Sequence, residues 1–326
     1  MNPTRVILTG ATGFVGSAVL RRLLAARPQE GGVQVRALAR STAGRPELPG
    51  LDWASADLTA PESLRGVGRD GDVLIHLASL VSGDEDTCAA VNVHGTGALM
   101  EEARRAGIGR IVHLSTAAVY GPGPHSGLDV DEVAPAPTSP ASRTRLEGES
   151  AALAAGATVL RPGLVLGRGD RWVVPALGEL RKRVPAQWDG GRGLSSMVDV
   201  DDLARLIVTL ACRTESSPAG VHHASHPVPV RNGDLMSRLT ELGVLDPVTE
   251  DWTWQECLDR FHAAPGRMTE RQFALVARDH WYRSEEIWPM AGCPEGPGPL
   301  ARLADSAAWY RDEREQREQK AKLPKP

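Results

Sequence analysis

Cysteine, long apolar runs and excess charge are all scarce in this chain of 326 residues. Its four cysteines are widely scattered and form no Cys-X-X-Cys pair, which argues against a disulfide framework or a structural zinc site and fits a reducing cytoplasm. No run of about eighteen apolar residues occurs, and Met1 leads directly into a strand-like segment, so we predict neither a membrane span nor a signal peptide. The net charge of −4 offers no basic field that would attract nucleic acid or an anionic membrane.

Lysine is rare as well, and arginine carries nearly all of the positive charge. Three of the four lysines lie in the last seven residues, which leaves Lys182 as the one lysine in the body of the chain. Hydrophobic residues make up 41% and charged residues 24%, ordinary values for a globular protein that buries a full core. At about 150 residues per domain, the length indicates about two structural units.

The first half of the chain alternates short β-branched runs with helical patterns, which predicts βαβ units and a parallel sheet. The candidate strands span residues 5–8, 33–38, 73–77, 111–114 and 158–160. Helices are predicted between the first two strands and over about 142–155, and residues 199–225 indicate one more helix and strand that return to the sheet. We therefore predict an α/β fold, a doubly wound parallel sheet with a smaller, mostly helical C-terminal lobe.

The predicted boundaries place residues 1–165 in the sheet domain, with 199–225 returning to it, and residues 166–198 and 226–310 in the lobe. Residues 311–326 are predicted to be a solvated helix end and a frayed tail. Proline and glycine breaks in the lobe would allow segment 250–295 to move as a lid. The tryptophans expected to cover a site are Trp252, Trp254, Trp281 and Trp288, unless they only pack the lobe's own core.

The clearest pattern in the chain is the run Thr9-Gly-Ala-Thr-Gly-Phe-Val-Gly16. Its three glycines directly follow a predicted strand and open an amphipathic helix. Glycine permits a tight turn and a close approach of ligand to backbone, and the free N–H groups at a helix N-terminus bind a pyrophosphate. We therefore predict a dinucleotide site that uses Gly10, Thr12, Gly13, Phe14, Val15 and Gly16.

This turn resembles the Thr-Gly-X-X-Gly-X-X-Gly turn of extended and atypical short-chain dehydrogenases/reductases, the epimerase/dehydratase group. The resemblance covers roughly residues 4–240 and continues through His76-Leu-Ala78, Asn92-Val-His-Gly-Thr96, Ser115-Thr-Ala-Ala-Val-Tyr-Gly121, Leu160-Arg-Pro-Gly163 and Val198-Asp-Val-Asp-Asp202. It implies a Rossmann core, with adenine near Asp57 and Leu58. The residues that it implies for the nicotinamide side are Leu77, Ala78, Ser79, Pro162 and Gly163.

The end of the second strand predicts which dinucleotide is bound. An acidic residue there would accept hydrogen bonds from the ribose 2′-hydroxyl and would repel a 2′-phosphate. This chain has Arg40 instead, and residues 38–41 contain no Asp or Glu. A guanidinium suits a phosphate bidentately, so NADPH is the predicted cofactor, with a solvated surface arginine as the alternative interpretation.

The tyrosine and lysine on which the family's chemistry normally depends are absent. The tyrosine exchanges the carbonyl proton, and the lysine ammonium four residues later lowers its pKa. Here Ser139-Pro140 is followed by Ala141 at the tyrosine position and by Arg145 at the lysine position. Thr116 matches the family's Ser/Thr position, directly after Ser115. The candidate catalytic residues are therefore Thr116, Ser115 and Arg145.

Each of these residues also has a simpler interpretation. Thr116 would hydrogen-bond a substrate carbonyl, or it would only satisfy the backbone at the strand end. Arg145 would contact the nicotinamide ribose or stabilise developing negative charge, or it would be a helix-surface arginine; it cannot act as the acid because it stays protonated. His222, His223 and His226 fall on a strand end and a turn without a carboxylate cluster, so no metal site is predicted.

The missing acid also predicts a direction of reaction. Oxidation of a sugar hydroxyl needs a base, whereas reduction of a ketone needs only a proton source, which a substrate phenol or a water can be. We expect an NADPH-dependent ketoreductase for a bulky apolar ketone, similar to the angucyclinone ketoreductases of the simocyclinone type, with its oligomeric state open. The alternatives are a non-catalytic NADP(H)-binding sensor, or a sugar-nucleotide enzyme whose diphosphate would bind Arg171, Arg181, Lys182 and Arg183.

Overall fold

The computed structural model describes residues 4–25, 32–213 and 218–322. The strands are β1 (Thr4–Thr9), β2 (Val33–Ala39), β3 (Leu51–Ser55), β4 (Val73–His76), β5 (Arg110–Leu114), β6 (His125–Leu128), β7 (Thr158–Arg161), β8 (Leu164–Leu166), β9 (Gln187–Trp188), β10 (Leu194–Ser195), β11 (Met197–Asp199), β12 (Gly220–His223), β13 (Val230–Arg231), β14 (Asp251–Trp252) and β15 (His280–Tyr282). The helices are α1 (Phe14–Ala25), α2 (Glu85–Ala89), α3 (Thr96–Ala106), α4 (Pro140–Ala154), α5 (Val173–Arg183), α6 (Val200–Cys212), α7 (Asn232–Glu241), α8 (Trp254–Ala263), α9 (Glu270–Ala277), α10 (Ile287–Ala291) and α11 (Pro299–Lys322).

A seven-stranded parallel sheet in the order β12-β7-β5-β4-β1-β2-β3 forms the centre of the molecule. The chain builds β1, β2 and β3 outward in one direction and then crosses back to place β4 on the other side of β1. This reversal is the switch point at which doubly wound sheets bind ligands, beyond the carboxyl ends of their strands. All residues of β4 and β7 are buried, as expected for parallel strands that helices cover on both faces.

Alternate residues of β1 divide the core between the two faces of the sheet. Val6 and Leu8 pack with α1 and α6, whereas Ile7 packs with α3 and with residues from α4. Each face is therefore covered by a helical layer, and the predicted α/β doubly wound fold is confirmed. The strand β3 was missed in the sequence, because Asp52 and Ser55 interrupt its apolar pattern.

The C-terminal lobe packs around a second apolar cluster, formed mainly by α5, α7, α8, α9 and α11. The helix α11 continues without a break through residue 311, where we predicted the start of a solvated helix end and a frayed tail. Tyr310 is buried, and Arg311 and Arg314 donate hydrogen bonds to the carbonyl oxygens of Leu242 (2.7 Å) and Val244 (3.1 Å). These contacts dock the first part of the predicted helix end on the lobe, whereas residues 315–317 are exposed and residues 323–326 lie outside the described ranges.

Three of the four tryptophans that we expected to form a lid pack into or against cores, and the fourth, Trp281, is half-buried on β15. Trp288 is fully buried in the core of the sheet domain, and its Nε1–H donates to the Ser225 carbonyl oxygen at 2.9 Å. Its predicted place over a ligand is wrong, and residues 287–293 pack on the sheet domain although we assigned them to the lobe. Trp252 and Trp254 pack against the lobe's own core. No helix in the described ranges is both long and apolar enough to cross a membrane.

Among the three glycines of the motif, Gly16 in the first turn of α1 tolerates a side chain least, since a Cβ there would lie 1.9 Å from the Gly10 carbonyl oxygen. We expect Gly16→Ala to lower the free energy of unfolding by about 1–3 kcal/mol, because the turn must open. Gly97→Ala on α3 is the matched control, since a Cβ at Gly97 meets nothing within 4 Å and alanine favours a helix. Urea denaturation compares the two variants, and equal stabilities would contradict the steric argument.

Candidate functional site

The residues predicted from separate motifs meet at the carboxyl edge of the sheet. Gly10, Ala78, Ala117 and Pro162 follow the neighbouring strands β1, β4, β5 and β7. A Cβ on Gly10 would lie 2.7 Å from the Ala78 nitrogen, and the Ala117 N–H donates to the Pro162 carbonyl oxygen at 2.8 Å. Pro162 is buried, and Gly163 beside it is half-buried. The glycine turn therefore lies against the loop after β4, and the end of β5 is joined to the end of β7 at the same edge of the sheet.

The glycine turn has the backbone shape that a pyrophosphate requires. Gly10 has a φ of +72°, a conformation that favours glycine, and its carbonyl oxygen accepts the Gly13 N–H at 2.9 Å. Thr12 and Gly13 are exposed at the N-terminus of α1, whose first residues Phe14 and Val15 are half-buried. The close approach at Gly10 and the open helix N-terminus fit a dinucleotide.

The Thr9 hydroxyl fixes the loop that follows β4. Its oxygen accepts the N–H groups of Leu77 and Ala78, each at 3.1 Å, and Ser79 continues the loop half-buried. With both lone pairs used, the hydroxyl donates its hydrogen to Nδ1 of His76 at 2.7 Å. The β1 end and the predicted nicotinamide loop are therefore held together by side chains and not only by the sheet.

The predicted adenine end lies where β2 and β3 finish side by side. The N–H and the hydroxyl of Thr59 donate to Asp57, and together they hold the pKa of that carboxyl below its usual range, with a smaller contribution from the positive charge of Arg40. Leu58 packs against Gly95, where a Cβ would lie 2.6 Å from the Leu58 Cβ. Arg40 is exposed at the end of β2.

Thr116 caps the short 3-10 helix Ala117–Tyr120, and its oxygen accepts the Ala118 N–H at 3.1 Å. This contact satisfies the backbone, as in the simpler of our two interpretations. It also orients the side chain while leaving the hydroxyl hydrogen available for a second bond. Thr116 is half-buried at the carboxyl edge, so it can still donate that hydrogen to a carbonyl oxygen.

The prediction that Ser115 is catalytic is wrong. Its side chain is 1% exposed and donates to the buried carboxylate of Glu149, because successive residues at a strand end point in opposite directions. Glu149 also forms an ion pair with Arg161 at 2.5 Å, and Arg161 donates to the Tyr120 hydroxyl at 2.8 Å. Ser115 therefore belongs to an internal polar network.

Tyr120 belongs to the same network, and its proton points away from the site. Nδ1 of His223 lies 2.9 Å from the Arg283 carbonyl oxygen, so Nδ1 must carry the hydrogen and Nε2 must accept one. The Tyr120 hydroxyl lies 2.7 Å from that Nε2 and therefore donates to it. Burial lowers the pKa of His223 to about 4, which keeps the imidazole neutral. The Tyr120 proton is therefore directed to His223 and not into the site.

Arg145 points inward, so the helix-surface interpretation is wrong. One Nη donates to the Leu114 carbonyl oxygen at 3.1 Å, and its Nε is buried without a hydrogen-bond partner among the described residues. Burial lowers the pKa of Arg145 to about 10, opposed by the nearby charge of Glu149, and the guanidinium stays charged at neutral pH. The positive charge thus lies at the end of β5, one helical turn after Ala141.

Two stacked histidines beneath the edge were missed in the sequence. The rings of His76 and His113 lie 5.0 Å apart on paired positions of β4 and β5. Burial, together with the charge of Arg145, lowers the pKa of His76 to about 4, and burial lowers the pKa of His113 well below its usual range. Their equivalent positions at the ends of two predicted strands were the available signal.

No group of three His, Cys, Asp or Glu side chains in the described ranges is placed to hold a metal ion.

Three of the four cations that could bind a sugar-nucleotide diphosphate are already engaged. Arg181 is 8% exposed and lies against the sulfur of a methionine, and Arg183 donates to two backbone carbonyls at 2.7 and 3.0 Å. Lys182 pairs with Glu318 of α11 at 3.1 Å. Of the four, Arg171 is the one that is exposed and for which the described residues provide no such contact.

The neutral histidines make the stability of the fold depend on pH. His76 binds a proton less readily in the folded chain than in the unfolded chain, so the free energy of unfolding should fall as the pH drops from about 6.5 to 4. Its shift corresponds to at most about 3 kcal/mol, and His223 adds a similar contribution. Asp199, whose pKa burial raises to about 6, opposes this trend, and so does Asp170, whose pKa burial also raises.

Urea unfolding at pH 7 and pH 4.5 measures this dependence. We expect the free energy of unfolding of His76→Gln to fall less between pH 7 and pH 4.5 than that of the unmodified chain. His94→Gln changes an exposed position and should lose as much stability as the unmodified chain does. Equal losses in all three proteins would contradict the assignment of a neutral, buried His76.

Comparison with known proteins agrees with this geometry. The model of the NAD dependent epimerase/dehydratase family matches residues 6–222. The 4-hydroxy-2-methyl-3-oxo-4-farnesyl-3,4-dihydroquinoline-1-oxide ketoreductase of Stigmatella aurantiaca is 31% identical in an alignment of 251 positions that covers 73% of this chain and 72% of the relative. A dTDP-glucose 4,6-dehydratase of Streptomyces antibioticus is 29% identical in an alignment of 330 positions, gaps included, that covers 90% of this chain and 97% of the relative.

Among solved structures, a short-chain dehydrogenase/reductase superfamily protein from Agrobacterium tumefaciens with bound NAD superimposes with a TM-score of 0.72 at 21% identity. The superposition covers 97% of this chain and 99% of that protein, and it shows the same fold. The family match spans well over half of the chain and includes the glycine turn, the β4 loop and the Thr116 strand end. The chain belongs to the NAD dependent epimerase/dehydratase family, the extended short-chain dehydrogenases/reductases, and has both ketoreductases and sugar-nucleotide dehydratases among its relatives.

Proposed function

We propose that this protein is an NADPH-dependent ketoreductase that reduces a ketone of a bulky polycyclic aromatic compound without a tyrosine acid. One observation carries the proposal. At the site, Ala141 and Arg145 occupy the positions of the usual tyrosine and lysine, while Thr116 keeps a hydroxyl hydrogen available at the strand end. The edge can therefore bind and polarise a carbonyl oxygen, and it lacks the usual proton-exchanging side chain.

The groups at this edge favour reduction over oxidation. Alcohol oxidation requires a base, but the Thr116 oxygen already accepts the Ala118 N–H, and Arg145 is a cation. Both ring nitrogens of His76 are hydrogen-bonded, to Thr9 and to Thr96. Reduction requires only donors at the carbonyl oxygen and a proton source for the alkoxide.

The dinucleotide, when bound, supplies the hydride that adds to the ketone carbon. The chain supplies the Thr116 O–H to the carbonyl oxygen and the Arg145 charge to the ribose or to the developing alkoxide. A hydroxyl of the substrate or an ordered water then gives the proton. A general acid is worth about 10²–10⁴-fold, or about 3–5 kcal/mol, whereas positioning of the reactants is worth about 7–11 kcal/mol. The larger contribution remains without the tyrosine.

Exposed apolar side chains support an apolar substrate. Val81, Trp172 and Val228 are 49%, 63% and 65% exposed, and they lie in the loops that follow β4, β8 and β12. Since β4 and β12 end at the carboxyl edge of the central sheet, Val81 and Val228 lie on the same side as the predicted nicotinamide loop. The ketone in the name of the Stigmatella relative is carried on a dihydroquinoline ring. Within this class we propose a polyketide ketone, and specifically an angucyclinone of the simocyclinone type.

A sugar-nucleotide substrate is the second candidate, because the Streptomyces dehydratase aligns with 90% of this chain. The contacts of Arg181 and Arg183 weigh against it, since a diphosphate would have to displace them, whereas Lys182 forms only an exposed ion pair. A third candidate, a non-catalytic NADP(H) sensor, differs from both enzymes in that it would show no turnover. NADPH binding without NADPH oxidation, across a panel of quinonoid ketones and sugar nucleotides, would identify the sensor.

Thr116→Val tests the role of the hydroxyl. We expect turnover of a quinonoid ketone to fall by roughly 10²–10³-fold without being abolished, which is the effect of removing one donor to a developing oxyanion. Thr116→Ser keeps the donor and is the matched control. NADPH oxidation under saturating ketone gives the rates, and an unchanged rate in Thr116→Val would remove Thr116 from the mechanism.

Tyr120→Phe separates stability from catalysis. Loss of the hydroxyl leaves Nε2 of His223 buried and unsatisfied, so the free energy of unfolding should fall by about 1–3 kcal/mol. Turnover of the folded variant should fall far less than the about 10²–10⁴-fold effect of losing a general acid. Complete loss of turnover with intact folding and NADPH binding would show that Tyr120 is the acid after all.

A further inference from the structure

We propose that the C-terminal lobe contains a second binding site, which takes a carboxylate with an apolar body and pairs it with the buried guanidinium of Arg181. The site is a cavity of about 510 Å³ between α5, α11 and the segment 244–248 that follows α7. This volume lies within the range of small-molecule pockets. The lining residues lie outside the glycine turn, the β4 loop and the Thr116 strand end, so the inference does not depend on the proposed reaction.

Contacts between each pair of walls hold the cavity in shape. A Cβ on Gly178 of α5 would lie 3.8 Å from Cδ2 of Leu245, so this helix and the segment 244–248 pack closely. Arg314 of α11 donates to the Val244 carbonyl oxygen of the same segment at 3.1 Å. The ion pair between α5 and α11 that was described above closes the third side. The cavity is therefore bounded by three elements that are fixed relative to each other.

Aliphatic and proline side chains form much of the lining of this cavity. They are Val174, Pro175, Val244, Leu245, Pro247 and Val248. The first of these lies on α5, and it belongs with two residues of the segment to the buried core of the lobe. A ligand with an apolar body would cover this surface from water, which is the main source of affinity in small-molecule pockets.

Arg181 places a buried positive charge in the same lining. It is 8% exposed, and its Nη1 donates to the sulfur of Met236 at 2.9 Å, which is a weak acceptor. Its Nε is buried without a hydrogen-bond partner, and among the described residues Nη2 has no partner and no carboxylate forms an ion pair with the guanidinium. Burial lowers the pKa of Arg181, and the charge of Asp246 opposes this effect only in part. The chain thus buries this cation without a direct counter-ion.

The carboxylates around the cavity do not neutralise Arg181. They are Glu179, Asp246, Glu313 and Glu318, all exposed or half-buried. Each already has a partner at 3.0 to 3.8 Å, and in the same order these partners are the Arg267 N–H, Arg314, Arg317 and Lys182. Solvent screens charges at the surface, whereas a buried charge acts in a less polar environment. A monocarboxylate in the cavity would supply the counter-ion that Arg181 lacks, and a single guanidinium balances its one charge.

Isothermal titration calorimetry with octanoate and 1-octanol tests the site, because the two probes share an alkyl chain of the same length and differ in the charged group. We expect the unmodified protein to bind octanoate more tightly than 1-octanol. Arg181→Met should weaken octanoate binding by about 10- to 100-fold, the loss expected for a charged hydrogen-bonding group, and should leave 1-octanol binding unchanged. Lys182→Met removes the neighbouring, exposed charge of α5 and is the matched control, with a change in octanoate affinity of less than about threefold.

Gly178→Leu tests the cavity while it keeps Arg181. Apart from its own helix, a Cβ at Gly178 meets only Leu245 within 4 Å, so the variant should fold, fill the cavity and lose the binding of both probes. Gly97→Leu adds the same side chain on α3, outside the cavity, and should bind both probes normally. Urea denaturation checks the folding of each variant, and Gly178→Leu decides the case if Arg181→Met does not fold. Equal affinities of the unmodified protein for the two probes, or unchanged octanoate binding in either folded variant, would overturn the proposal.

Discussion

The buried ion pair between Glu149 and Arg161 holds the candidate site together. Glu149 lies on α4, the helix that carries Ala141 and Arg145, and Arg161 ends β7 directly before Pro162. The same carboxylate accepts the Ser115 hydroxyl, one residue before Thr116. One pair therefore fixes three elements relative to each other. Removing one partner of such a pair costs about 3–5 kcal/mol, because the other charge stays buried without compensation.

This pair helps to explain how the edge of the sheet keeps its shape with alanine at position 141. Thr116 is held by the Ala118 N–H, and none of the side-chain hydrogen bonds among Ser115, Glu149, Arg161 and Tyr120 involves position 141. The first turn of α4 is fixed separately, by the reciprocal bonds between Ser139 and Ser142. An alanine at position 141 therefore leaves both sets of contacts intact.

The sequence predicted those parts of the structure that depend on local chemistry. Glycine spacing after an apolar strand gave the turn at Gly10, and the β-branched runs located five of the central strands. The direction in which the Ser115 side chain points could not be predicted. Successive residues of a strand point to opposite faces of the sheet, and the sequence does not show which face is buried until the neighbouring elements are placed. The docking of Arg311 was hidden for a related reason, since a charged helix looks solvated until its acceptor, a carbonyl of another helix end, is placed beside it. Arg145 was identified by its position, but its burial came from the packing of α4 on the sheet.

The electrostatics of the site follow from what lies beneath it. Because His76 and His113 are neutral, these two side chains place no positive charge beneath Arg145. The carboxylate of Glu149, one turn further along α4, interacts with Arg145 only through its charge and not through a hydrogen bond. In a half-buried environment, an unscreened charge acts strongly on an alkoxide that forms nearby. A tyrosine at position 141 would compete with that charge by donating its own proton. In the proposed reduction, with alanine there, the charge would stabilise the alkoxide before it is protonated, so the source of the proton need not be part of the protein.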